Sequence, residues 1–309
     1  MDALVALRSA VRAELEKFSA GDLVLIGVSG GADSLALAFA SELEAEKLAI
    51  KLIAVVVDHQ LQPGSSEIAN KVSKTLNLET RIEKVNVEIT DGLEASARRA
   101  RYVAFEKVAK ELSAVAIFLG HTKDDQAETV LLGLARGSGA RSLSGMAIRN
   151  GIYVRPFLNI TREQTMATCK ELNLEPWNDP HNDDQNFLRV RARKNVLPIM
   201  ERELGPGISD ALVRSANLLR DDADALDYLA DQYWAKEKSL EISKLETLPR
   251  AVRTRVLRLA LFEKGVSQLS SEQVSQVEAL ISNWKGQGEV SLPAGVKVSR
   301  ISGRLTLSS

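Results

Sequence analysis

The stretch LIGVSGGADSLALAFA, residues 25–40, restricts the fold more than any other part of this chain. An apolar run from Leu23 to Val28 stops at Ser29-Gly30-Gly31, Asp33 and Ser34 follow, and a helical pattern starts at once. A strand that is apolar throughout and passes through a glycine turn into a helix belongs to a parallel sheet covered on both faces. The same turn is suited to anions. Its glycines let backbone approach a ligand, and the N–H groups at a helix start have no intrahelical partner. Ser29, Gly30, Gly31, Ala32, Asp33 and Ser34 form a candidate phosphate cradle, with Asp33 placed to hold hydrated Mg²⁺ and Ser34 to hydrogen-bond a phosphate oxygen. The loop lacks the lysine of a Walker A loop and the glycine spacing of a dinucleotide fingerprint. The plain alternative is an ordinary strand–helix turn with a Ser/Asp cap.

The first half of the chain repeats this alternation. LIAVVVD, TRIEKVNV and VAIFLGH read as further strands, and SSEIANKVSKTLN, EASARRARYVAFEKVAKEL and DDQAETVLLGLARG read as helices. The expected class is α/β, a doubly wound, mainly parallel five-stranded sheet with its ligand crevice beyond the carboxyl ends of the strands. Beyond residue 200 the pattern turns helical, and the tail GEVSLPAGVKVSRISGRLTLSS alternates as a β-hairpin. The expected domains are 1–200 for the sheet and 201–309 for a smaller helical domain with a terminal hairpin.

Composition narrows the partners. Lys+Arg 40 against Asp+Glu 41 gives a net charge of -1, so a nucleic acid would need a local basic face. Aromatic content of 5% argues against a base-stacking surface. The one cysteine, Cys169, excludes an internal disulfide and any Cys-x-x-Cys metal site, and reads as helix packing in a reducing compartment. The N-terminal segment is an amphipathic helix without the unbroken apolar core of a signal peptide, and no apolar run nears the ~20 residues of a membrane span. The reading is a cytoplasmic protein with no membrane partner.

SGGADS resembles the SGGxDS loop of the N-type ATP pyrophosphatase, or PP-loop, superfamily. That resemblance implies an adenine nucleotide alpha hydrolase-like fold, ATP, magnesium, an adenylated intermediate and pyrophosphate release. Three further stretches, VDHQLQPGS, GHTKDDQAETVLLGLARGSGARSLSGM and WNDPHNDDQNFLRVRARKNVLP, together with EASARRARY, look like the tRNA(Ile)-lysidine synthetase family over nearly the whole chain. The family's longer members carry one more C-terminal domain, which this chain ends before. Thr122 stands where that family usually has a second His, and Gln60 and Gln62 replace the Gly and Arg of its D-H-G-L-R turn.

The resemblance implies a ligation. ATP adenylates the C2 oxygen of the wobble cytidine in an isoleucine tRNA with a CAU anticodon, and the ε-amine of free L-lysine displaces AMP. Asp33, His121, Asp125 and Glu128 are then the expected catalytic residues, with Asp33 and Asp125 on Mg²⁺. Asp58 and His59 join residues 29–34 in holding ATP. Asp124, Asp125 and Glu128, within about one helical turn, suit the ammonium groups of lysine. His121 is the first candidate to take a proton from the attacking amine. Arg98, Arg101, Arg189 and Arg193 are expected to meet tRNA phosphates.

Plainer readings stand beside these. DDQAET also reads as an acidic helix N-terminus favoured by the dipole, and His59 as the end of a strand. The arginines of 189–193 also read as a solvated patch, at least one of Arg98, Arg99 and Arg101 as a structural ion pair, and Trp177 as loop packing. Another PP-loop tRNA-modifying enzyme and an ATP-binding sensor without turnover are the rival functions. Dimerisation is left open.

Overall fold

The computed structural model describes residues 2–308 apart from Pro63 and Asp91. Two compact units divide at Asn217 and Leu218. In the first unit, helix α1 (Ala3–Leu15) precedes β1 (Leu23–Gly27), α2 (Ala32–Ala45), β2 (Lys51–Asp58), α3 (Ser65–Thr75), β3 (Thr80–Lys84), α4 (Leu93–Leu112), β4 (Ala116–Leu119) and α5 (Lys123–Ala135). The short helix α6 (Ala140–Leu143), the strands β5 (Arg149–Asn150) and β6 (Tyr153–Val154), and α7 (Arg162–Glu171) follow. The unit closes with α8 (Leu188–Arg191), a π-helical turn at Ala192–Val196 and α9 (Leu197–Leu204).

The sheet order is β3-β2-β1-β4-β6-β5, parallel except for β5 against β6. Among the described residues the sheet therefore has six strands where five were expected. The extra one belongs to a two-residue antiparallel edge pair, too short to leave an alternation in the sequence.

Burial follows the period-2 geometry of strands. Val24, Ile26, Ala54, Val56 and Phe118 enter one cluster with α1 and α2, while Leu25, Val55, Ile117 and Leu119 enter another with Phe105 and Val108 of α4. This is why the strands read as unbroken apolar runs.

Helix α10 (Ile208–Glu237) runs across the division between the units. The second unit also holds α11 (Ile242–Leu245), α12 (Arg250–Phe262), α13 (Ser271–Ser282) and the strands β7 (Val290–Ser291), β8 (Lys297–Ile301) and β9 (Arg304–Ser308). Its core joins Val256, Leu257 and Leu261 to Val277, Leu280 and Val298. The expected hairpin is β8–β9, turned by Ser302 and Gly303 at φ 47° and 75°, the left-handed pair that suits a two-residue loop. Strand β7 adds a third, antiparallel member.

Candidate active site

A cavity of about 1100 Å³ opens beyond the carboxyl ends of β1, β2 and β4, where the strand order reverses between β1 and β4. Ser29, Gly31, Ala32, Asp33, Ser34, Asp58, His59, Arg98, Arg101, His121, Asp125, Glu128, Arg189 and Arg193 all line it. Residues far apart in sequence thus share one space because each follows a strand or faces that rim.

Gly30 shapes the β1 turn without lining the cavity. Its φ is +87°, and a Cβ there would lie 2.5 Å from Val72 Cγ2, so the position requires glycine. Its carbonyl accepts from the Trp177 N–H at 2.9 Å, which ties the irregular segment after α7 to the loop. The Ser34 hydroxyl is used inside the loop: it accepts from the Ser29 N–H at 3.1 Å and donates to the Gly31 carbonyl at 3.0 Å. It braces the turn, and the expected bond to a phosphate oxygen is not prepared.

The β4–α5 turn approaches this loop closely. A Cβ on Gly120 would lie 3.0 Å from the backbone carbonyl of Asp33. Thr122, fully buried, caps α5: its N–H donates to Asp125 Oδ2 at 2.8 Å, and its hydroxyl accepts from the Asp125 N–H. The residue that departs from the family pattern thus has a structural task here. Gln60, the other departure, has φ 54°, a region glycine enters more readily. Asp58 Oδ1 accepts from its N–H at 3.1 Å, and Asp58 Oδ2 accepts from Ser66 Oγ at 2.6 Å. Burial opposes the charge on Asp58, yet the Ser66 and Ser65 hydroxyls and this N–H keep its carboxyl below the usual range.

Asp124, Asp125 and Glu128 do not face one space. At 3.6 residues per turn Asp124 and Asp125 point about 100° apart, with Glu128 between them. Asp125 therefore lines the large cavity, Asp124 lines an adjacent depression of about 580 Å³, and Glu128 and Arg193 line both. Asp124 Oδ2 accepts from the Arg162 N–H at 2.8 Å.

Arg162, the first residue of α7, went unnoticed in the sequence because nothing in TREQTMATCKELN marks it. Its Nη2 lies 3.0 Å from Asp125 Oδ1, its Nε 3.4 Å from Asp33 Oδ2 and its Nη1 3.7 Å from Glu128 Oε1. The buried Thr165 hydroxyl, also missed, donates to Asp33 Oδ1. All four oxygens of Asp33 and Asp125 thus meet protein donors. Among the described residues no group of three or more His, Cys, Asp or Glu side chains has the arrangement to hold a metal ion. Asp33 and Asp125 do not fit a direct two-carboxylate magnesium site, because a guanidinium already stands between them.

Burial sets most of the protonation. It raises the Asp33 carboxyl above its ordinary value despite Thr165 and Arg162. Burial also opposes the charge on Asp125, but Arg162 and the Thr122 N–H hold that carboxyl below its ordinary value. Glu128, 1% exposed, is pushed up to about 7 by burial and by Asp125, against Arg193, Arg162 and Arg189. The His121 imidazole is pushed down to about 3 by burial, with Arg101, Arg155 and Arg98 adding to it against Asp125. His59 is lowered by burial and Arg101. The Nδ1 atoms of both histidines are buried without a hydrogen-bond partner among the described residues.

The arginines divide by partner. Arg98 donates to the Tyr102 hydroxyl at 3.0 Å and stacks on its ring at 4.8 Å. Arg101 has no ion pair among the described residues, and burial and Arg98 lower its pKa. Arg189 donates to Thr129 Oγ1 at 3.1 Å. Arg193, on the π-helical turn, brings Nε to 3.0 Å from Glu128 Oε1 without hydrogen-bond geometry, so both atoms are buried and unsatisfied among the described residues.

Comparison with known proteins fits this geometry. Residues 7–200 match the family described as a PP-loop domain, and residues 240–306 match the one described as a TilS substrate binding domain. The tRNA(Ile)-lysidine synthase of Thermobifida fusca is 47% identical, the alignment covering 98% of this chain and 97% of that one. The chain belongs to the tRNA(Ile)-lysidine synthase family. The family's protein from Leifsonia xyli is 50% identical, over 93% of this chain and 90% of its own, and that from Mycobacterium bovis 41%, over 94% and 92%. Among solved structures, the U34-tRNA thiolase NcsA from Methanococcus maripaludis superposes with a TM-score of 0.59 over 71% of this chain and 79% of its own. At 19% identity that likeness speaks for the fold alone. In this family member Cys169 is 2% exposed, and burial and Asp33 push its thiol up to about 11, so it is no reactive sulfur. No helix is long and apolar enough to cross a membrane among the described residues.

Proposed function

We propose that this chain ligates free lysine to C2 of the wobble cytidine of an isoleucine tRNA with a CAU anticodon, splitting ATP to AMP and pyrophosphate. The names of its relatives support the substrate. The observation that carries the chemistry is that the phosphate-type loop, the carboxylates of Asp33, Asp125 and Glu128, and five arginines, Arg98, Arg101, Arg162, Arg189 and Arg193, face one cavity.

ATP binds with its phosphates over residues 29–34, where free amides at the start of α2 favour the diphosphate that leaves. The cytidine C2 oxygen attacks the α-phosphorus and pyrophosphate departs. The ε-ammonium of lysine then gives a proton to a neighbouring base, its lone pair forms the N–C2 bond, and the C2–O bond breaks to release AMP. Asp125 and Glu128 receive the ammonium, with Asp124 reached only from the adjacent depression.

Glu128 takes the proton better than His121. A base works best with a pKa near the ambient pH. Glu128 is tuned to about 7, whereas His121 at about 3 holds protons too weakly. His121 remains as a neutral imidazole with a spare polar atom beside the reacting base.

Magnesium stays in this reading as the ion that ATP brings, with no protein carboxylate assigned to it. Residues 1–200 act as the catalytic domain and 201–309 as the helical tRNA-binding domain. Arg98, Arg101 and Arg189 form the basic wall open to RNA, while Arg193, expected there from the sequence, stands beside Glu128. The reaction belongs in the cytoplasm, with its tRNA, ATP and lysine.

Pyrophosphate release with isoleucine tRNA, measured with and without lysine, tests the reading. The expected result is release that needs tRNA and a modified cytidine that needs lysine. A product indifferent to lysine would point to another nucleophile, and no release would favour an ATP-binding sensor.

A further inference from the structure

Three acidic side chains from two helices converge on one guanidinium. Asp33 comes from α2 at the phosphate loop, and Asp125 and Glu128 come from α5, where the amine is expected to bind. Arg162 stands among them at 3.4, 3.0 and 3.7 Å. The steps above give it no task.

Its setting is built rather than incidental. Thr161 and Gln164 close a capping box that fixes the first turn of α7. Asp124 holds the Arg162 N–H, and Thr165, one turn on, donates to the same Asp33 that meets the guanidinium. Helix α7 therefore grips Asp33 from two side chains while Arg162 reaches across to α5. Without that cation, carboxylates brought this close in a partly buried site repel strongly, since the effective dielectric there is well below that of water. They would then move apart or take up protons.

We propose that Arg162 is a positioning residue that couples the nucleotide half of the cavity to the amine half, acting through Asp33, Asp125 and Glu128. The proposal rests on the ligation reading. All three nitrogens of the guanidinium face carboxylates, so a nucleotide phosphate is not its partner in this arrangement. A single point charge can still bridge two of the three acids, whereas a neutral side chain cannot.

The test compares the full chain with Arg162→Gln and Arg162→Lys, using isoleucine tRNA, ATP and lysine, with thermal melts to check folding. Arg162→Gln should lower kcat about 100-fold while KM for ATP stays within about threefold. Arg162→Lys should recover about tenfold of that loss. A merely structural arginine would not give this split and rescue in proteins that melt normally.

The inference is overturned if Arg162→Gln works within about threefold of the parent, or if its defect lies wholly in KM for ATP. It is also overturned if a folded Arg162→Lys is no better than Arg162→Gln, because a ligand would then need the planar fork. Should Arg162→Gln fail to fold, the activity of folded Arg162→Lys decides: about a tenth of the parent supports the coupling, and none refutes it. A parent chain that releases no pyrophosphate sinks the ligation reading and this inference with it. Normal parent turnover with an indifferent Arg162→Gln sinks the inference alone.

Discussion

Glu128 concentrates the chemistry of the site in one side chain. It is buried, its two oxygens lack hydrogen-bond partners among the described residues, and its pKa is pushed up to about 7. A carboxyl must be ionised to accept a proton, so lysine-dependent turnover should rise as pH increases through about 7. Glu128→Gln keeps the shape and removes the base. It should lower the rate at least about 100-fold and abolish the limb. A pH–rate profile checks this, and a limb that survives in Glu128→Gln would assign it to another group. Residue types at the site were legible in the sequence, because carboxylates after a strand are conspicuous. Arg162 and Thr165 were not. A lone arginine on an unremarkable helix acquires meaning only when folding brings it to Asp33, Asp125 and Glu128.

At the scale of elements, periodicity carried the reading well. Each apolar run became a strand because both faces of the sheet are covered, and each 3.6-period stretch became a helix. What escaped was the short edge pair β5–β6, set by pairing geometry and not by composition. The π-helical turn at Ala192–Val196 also escaped, since one extra residue per turn leaves no trace in the residue types.

The packing of α1 on α2 offers an element-scale measurement. Glu44 is 1% exposed and meets Arg8 at 2.6 Å, Arg12 at 2.7 Å and Lys47 at 3.1 Å. Burial opposes its charge, but these three cations hold its carboxyl down at about 2. A folded-state pKa below the unfolded value of about 4.3 gives stability that is present above that value and lost as pH falls towards the folded pKa. Denaturant unfolding of the chain should therefore weaken between about pH 4.5 and 2, and Glu44→Gln should flatten that part of the curve. An unchanged acid dependence in Glu44→Gln would mean that other carboxylates carry it.

For the whole molecule, the balance of charge poses the main question. A chain of net charge -1 has no long-range pull on a polyanion. RNA must then be held by local cations, and two of the five arginines on the cavity wall stand in opposite states. Arg193 lies beside Glu128, inside the chemistry, while Arg101 has no carboxylate ion pair among the described residues. A free guanidinium gains a phosphate without giving up a partner, whereas Arg193 would have to leave a buried acid uncompensated. Arg101→Ala should therefore weaken tRNA binding, measured without ATP, and reduce the slope of log K against log salt by about 1. Arg193→Ala should lower turnover instead and leave that slope nearly unchanged. The reverse result, a salt slope that responds to Arg193 and ignores Arg101, would move the RNA backbone to the π-helical turn and leave Arg101 to the nucleotide.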